Sequence, residues 1–219
     1  MMEENIRRTM EYLQEQFEQS DYLTANPRDK KYRLEHTMRV ANIGRQIARG
    51  EDFEEGVLVI GCLLHDLSYA ETFVSKDDWM NHGRRATQMA RPFLETLTLS
   101  PEQIEEICFG IAIHVDDEAD FPGERSPLAL SIGDCDNIDR FDVYRIHENL
   151  KNKDFTDLSL DEQVEFVGNV LDRLGKYAQM ELATETATGL WKERIDFQIQ
   201  FFQRLQAQLE RGSDPKWRR

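Results

Sequence analysis

Residues 56–66 read GVLVIGCLLHD. Val57 to Leu64 is apolar apart from Gly61, the longest such stretch in the chain. It is far too short to cross a bilayer, which takes about 20 residues of helix. At its end stand an imidazole and a carboxylate, His65 and Asp66. At a helix end successive side chains diverge by about a quarter turn or more. A metal just off that end can take both groups, or the carboxylate can bridge two metals.

Outward from this run, helical spacing dominates and alternating strand patterns are scarce. The periodicity predicts helices over about 3–19, 31–49, 53–66, 82–98, 101–115, 126–149, 160–178 and 184–211. The expected fold class is all-α. Ser100-Pro101-Glu102-Gln103 and Ser159-Leu160-Asp161-Glu162 mark two starts. In each, the serine can accept from an orphaned backbone N–H while the residue three further on reaches back. Residues 20–30, 71–81, 116–127 and 151–158 read as connections, the third being the most acidic. Val164, Val167, Leu171 and Leu174, then Trp191, Ile195, Phe202, Leu205 and Leu209, form apolar stripes. Such stripes serve a core or a subunit interface, so a homo-oligomer stays open.

The 219 residues suit a single domain with a sizeable core. Forty-two acidic against 27 basic residues leave a net charge of -15, and a surface this acidic repels nucleic acid polymers. The small basic tail, Arg211 with Lys216 to Arg219, does not reverse that. An anionic substrate needs a local attractor, and a metal is one. The N-terminal stretch is acidic and amphipathic, unlike a secretory signal. Cys62, Cys108 and Cys135 form no C-x-x-C pair and read as reduced core thiols. The expectation is a cytoplasmic protein without a membrane partner.

Four of the five histidines fall on inward-facing registers. His36 shares a stripe with Val40, Ile43 and Ile47; His82 opens one with Ala86, Met89 and Phe93. His114 closes the stripe Ile104, Ile107, Ile111, and Asp136 is in register with Ala129 and Ile132. Any one of these alone is more often a core or surface residue than a ligand. Together they place several polar groups on buried faces, which is costly unless something satisfies them. Four imidazoles with Asp66 and Asp136 can serve one or two divalent transition metals: Fe, Mn, Zn, Co or Ni. His147 lies off this pattern and reads as ordinary.

These residues resemble the HD-domain superfamily of metal-dependent phosphohydrolases. The matching text is Arg33-Leu34-Glu35-His36 with Val40, GCLLHD at 61–66, His82 to Ala86, Ile107-x-x-x-Ile111-x-x-His114, and Asp134-Cys135-Asp136-Asn137-Ile138-Asp139. The ordered set is specific, whereas each piece alone is weak. The resemblance implies a helical bundle with the core at about 20–150 and a C-terminal helical extension at about 151–219. It implies His36, His65, Asp66 and Asp136 as the basic ligands, and His82 and His114 as the additional pair of members that hold a second metal. Asp66 is then the bridging carboxylate and the catalytic residue. Asp136 is preferred to Asp134 as the second aspartate of its motif.

The implied activity is hydrolysis of a small phosphate ester, such as a nucleotide, by a metal-activated hydroxide. Arg33, Arg84 and Arg85 are candidate phosphate cations, although each reads more simply as an exposed helix charge. Glu71, just after the His-Asp pair, is a weaker candidate acid. Two alternatives remain: a di-iron oxygenase on the same fold, such as myo-inositol oxygenase, and a non-catalytic nucleotide-sensing module.

Overall fold

The computed structural model describes residues 2–116 and 120–212. Among these residues there are eleven α-helices, two short 3-10 turns and no strand. In chain order they are α1 (Met2–Gln19), α2 (Asp21–Ala25), α3 (Pro27–Gly50), α4 (Glu55–Leu64), α5 (Lys76–Met80), α6 (His82–Leu94), α7 (Pro101–Ile113), α8 (Pro127–Arg140), α9 (Val143–Asn152), α10 (Leu160–Tyr177) and α11 (Glu185–Gly212). The fold is all-α, as expected. Three residues of the acidic connection, 117–119, and the basic tail from Lys216 lie outside the described residues.

Local chemistry explains where the helices differ from their expected limits. The segment 126–149 is two helices rather than one, broken at Phe141 and Asp142. Asp142 adopts an extended backbone and caps α9 by accepting from the Val143 amide. Aspartate competes for backbone donors in this way and favours a new start over continuation. The connections 20–30 and 71–81 each contain a short helix opened by a serine cap, Ser20 for α2 and Ser75 for α5. In the second, Asp78 reaches back to complete a capping box. The boxes at Ser100–Gln103 and Ser159–Glu162 form as their spacing predicts.

The chain divides into two compact units, one running to Asp139 with Ala183–Ala187 added, the other Arg140–Leu182 with the residues from Thr188 onward. In the first unit α4 is the central element. Every residue from Gly56 to Leu64 is buried, and α1, α3 and α7 pack around it. A helix that is apolar on all sides is stable only where neighbours enclose it. The buried face of α3 runs through His36, Val40, Ile43 and Ile47. On α6 the buried face is His82, Gly83, Ala86, Thr87, Ala90 and Leu94, rotated slightly from the expected stripe. Met89 is half-buried, and Phe93 stacks on Tyr12 at 4.1 Å.

Two glycines permit close helix contacts. A Cβ on Gly110 would lie 2.5 Å from the Ala129 carbonyl oxygen of α8, and one on Gly83 would lie 2.5 Å from the Ile111 carbonyl oxygen of α7. The second contact brings the start of α6 against the end of α7. Thr87 reinforces it by donating to the Cys108 carbonyl at 2.9 Å.

In the second unit, Val167, Val170 and Leu174 of α10 and Trp191, Ile195 and Phe202 of α11 are buried. The Trp191 indole donates to the Tyr177 carbonyl at 2.9 Å. All three cysteines are free and buried. Among the described residues, no helix is long and apolar enough to cross a membrane.

Leu58 is fully buried at the centre of α4. Leu58→Ala should destabilise the first unit by about 2–5 kcal/mol through lost burial and a residual cavity. Denaturant unfolding followed by circular dichroism measures this; a loss under about 1 kcal/mol would mean α4 is not the packing centre.

Candidate metal centre

Three helix ends and one helix interior supply the histidines. His65 follows the last residue of α4, and His114 the last residue of α7. His82 opens α6 directly after α5. The last carbonyls of a helix lack intrahelical partners. Each of these imidazoles takes one, with Nδ1 donating to the carbonyl three residues earlier: His65 to Cys62 at 2.7 Å, His82 to Trp79 at 2.6 Å and His114 to Ile111 at 2.7 Å. A carbonyl only accepts, so the proton is on Nδ1 in all three. The Nε2 atoms are thereby left facing one another.

His36 comes from within α3. Its Nδ1 lies 2.7 Å from an oxygen of Asp139, which also accepts two hydrogen bonds from Arg39, at 2.7 and 3.0 Å. Its Nε2 lies 3.1 Å from Asp136 Oδ1. The two oxygens of Asp66 divide between the histidines. Oδ2 lies 3.7 Å from His36 Nε2 and 3.6 Å from His65 Nε2, whereas Oδ1 lies 3.3 Å from His82 Nε2 and 3.7 Å from His114 Nε2. All six residues chosen from the sequence are buried, and they meet in one place. Groups able to hold an ion are His36, His65 and Asp66; Asp66, His82 and His114; and His65, His114 and Asp136.

The donor atoms fit a metal on grounds independent of the motif. His65 Nε2 is wholly buried without a hydrogen-bond partner. His82 Nε2 and His114 Nε2 approach to 3.0 Å, and both rings already use Nδ1 as donor. Two neutral rings so arranged oppose lone pair to lone pair. A cation accepting those lone pairs removes the conflict, and neutral imidazole is the ligating form. Burial, aided by neighbouring His114 and His36, holds His65 down at about 4. Burial also depresses His36, but hydrogen bonds to Asp136 and Asp139 prevail and push it up to about 9. Burial raises Asp66, but the imidazoles of His65, His114 and His82 around it, and the Arg33 guanidinium, hold it well below the usual carboxylate range. The pocket thus carries anions that call for positive charge.

Several neighbours depart from the sequence expectation. Arg33 is mostly buried: it donates to Asp66 Oδ2 at 2.9 Å and lies 3.3 Å from the centre of the Tyr69 ring. Arg84 pairs with Asp116 and Asp120, and Arg85 with Glu71. That pairing also engages the side chain considered as a candidate acid. Asp134 turns to the Ala183 amide at 2.9 Å, leaving Asp136 at the cluster. His147 is exposed and belongs to the second unit. Asp139 was missed as a functional residue. Its signals were its place as the last aspartate of the segment Asp134 to Asp139 and its position one helical turn after Asp136, on the same face of α8. Ser68 was missed too; its hydroxyl donates to the His82 carbonyl at 2.8 Å and ties the turn after Asp66 to α6.

Comparison with known proteins places the chain in a family. The HD domain family model matches residues 33–142, half of the chain, and the chain belongs to that family. The crystal structure of a predicted HD superfamily hydrolase from an uncultured Thermotogales bacterium is similar in fold. The TM-score is 0.59 at 19% identity, over 92% of this chain and 91% of that one. No curated protein matches the sequence.

Partners that orient a ligating histidine typically contribute 10- to 100-fold to metal affinity. Asp139→Ala should therefore weaken metal binding by roughly that factor with helical content unchanged. Competition with a chromogenic chelator reads the affinity, and an unchanged value would remove Asp139 from the centre.

Proposed function

We propose that the chain is a metal-dependent phosphohydrolase acting on a small phosphate ester, with a binuclear centre held by His36, His65, Asp66, His82, His114 and Asp136. The observation that carries this reading is the division of Asp66. One oxygen faces His36 and His65, and the other faces His82 and His114. A carboxylate so placed suits two cations side by side. Family membership supports hydrolase chemistry in general terms.

When bound, divalent transition metals supply Lewis acidity, acidifying water and neutralising charge on phosphate oxygens. The chain's own residues do the rest. Asp66 and Asp136 bring negative charge into a largely enclosed site, which raises the site's demand for cations. Asp139 fixes the ring of His36, and three main-chain carbonyls fix the other rings. These restraints hold the Nε2 atoms in a preset arrangement, so little reorganisation is needed during reaction. Arg33 steadies the Asp66 carboxylate from the side of Tyr69. With Arg33, Arg84 and Arg85 each paired to a carboxylate, the metals are the main attractors for an anionic substrate on this acidic chain.

Elemental analysis of purified protein should find about two first-row transition metals per chain. Anaerobic incubation with Mn, Co or Ni should release phosphate from an aryl phosphate or a nucleotide panel. Asp66→Ala should abolish that release with nearly unchanged helical content. Retained activity in this variant would place the chemistry elsewhere, and oxygen-dependent turnover without phosphate release would favour an oxygenase.

A further inference from the structure

Beside the His82 end of the cluster lies an aromatic group, two of whose members, Phe73 and Trp79, have no part in the proposed chemistry. Tyr69, Phe73 and Trp79 have ring centres 4.8 to 5.5 Å apart. The Tyr69 ring lies 5.1 Å, and the Phe73 ring 6.2 Å, from His82. Tyr69 is buried, but Trp79 is 50% exposed and its neighbour Met80 is 42% exposed. Large apolar side chains gathered at the surface mark a contact site more often than an accident.

Three features hold this group in place. The capping box of Ser75 and Asp78 fixes the start of α5, and Asp78 directly precedes Trp79. The Trp79 carbonyl accepts the hydrogen bond from His82 Nδ1, so the indole and the imidazole share one backbone anchor. The ring of Trp79 also meets both Tyr69 and Phe73 close to edge-on. Among the six cluster residues, His82 has the most open side chain, 11% against 7% or less for the others. The cluster is therefore most open at His82, the residue that the Tyr69 and Phe73 rings adjoin.

We infer that Trp79 and Phe73 form a platform for a planar aromatic substituent on the phosphate ester, such as a nucleobase or aryl group. This rests on the phosphohydrolase reading and narrows it. A phosphate at the His82 side of the cluster would place its organic group against these rings. The arginines nearest the cluster are already paired with carboxylates, so they offer the organic part little. An indole face accepts any base or aryl ring by stacking, without needing a charged partner.

The test is calorimetric titration of the metal-loaded full chain with phenylphosphonate and with methylphosphonate, whose carbon–phosphorus bonds survive a phosphatase. Phenylphosphonate should bind about tenfold tighter, the lower part of the range for stacking on an aromatic side chain. Trp79→Ala should remove most of that preference while metal content stays unchanged, and Trp79→Phe should retain it. Equal binding of the two phosphonates to the unmodified protein, or a preference that survives Trp79→Ala, overturns the platform alone. Binding of neither overturns the phosphate reading and the platform with it. If sedimentation shows that Trp79→Ala instead dissociates a dimer, the patch is a subunit contact and the inference fails.

Discussion

The organisation of the first unit depends on the convergence of four imidazole nitrogens on two carboxylates in a buried space. Polar groups in such a place are costly unless each finds a partner. The Nδ1 atoms find theirs in three main-chain carbonyls and in Asp139. Asp66 and Asp136 add negative charge at the same point, and His65 Nε2 is left with no hydrogen-bond partner at all. A cation resolves this conflict of lone pairs and anions. Metal binding and local stability are then linked, because an ion that binds only the folded state stabilises it.

The surrounding architecture serves that convergence. The enclosed helix α4 is fixed by packing on α1, α3 and α7, so its C-terminal end is a rigid place to mount His65 and Asp66. The close approach at Gly83 then brings His82 to within 3.0 Å of His114. A methyl group there would push the two helices apart just where the two nitrogens meet. Orphan carbonyls at helix ends, often left to water, here set the tautomers of the clustered histidines. One local feature thus ends the helix and orients the imidazole.

Much of this was legible in the sequence, for definite reasons. The uninterrupted apolar run before His65-Asp66 announces an enclosed helix whatever its neighbours are. The stripes of α3 and α7 carry enough turns for their registers to place His36 and His114 inward. The register of α6 was less well read, because Ala86, Ala90 and Gly83 are too small to outweigh Met89 and Phe93 in an apolar pattern. The break at Asp142 was hidden because the apolar spacing continues across it. The pairings of Arg33 with Asp66 and Asp139 with His36 join residues 33 and 103 positions apart, which periodicity along one helix does not report. The short helix α5 was hidden by its length, since five residues are too few to show a period.

The most direct measurement of a shared centre is anomalous diffraction from crystals of the metal-loaded protein. A binuclear site predicts two peaks about 3.5–4 Å apart. One should lie among His36, His65, Asp136 and Asp66 Oδ2, and the other among His82, His114 and Asp66 Oδ1. A single peak at full metal loading, or peaks away from Asp66, would contradict the central claim that this carboxylate joins two metals.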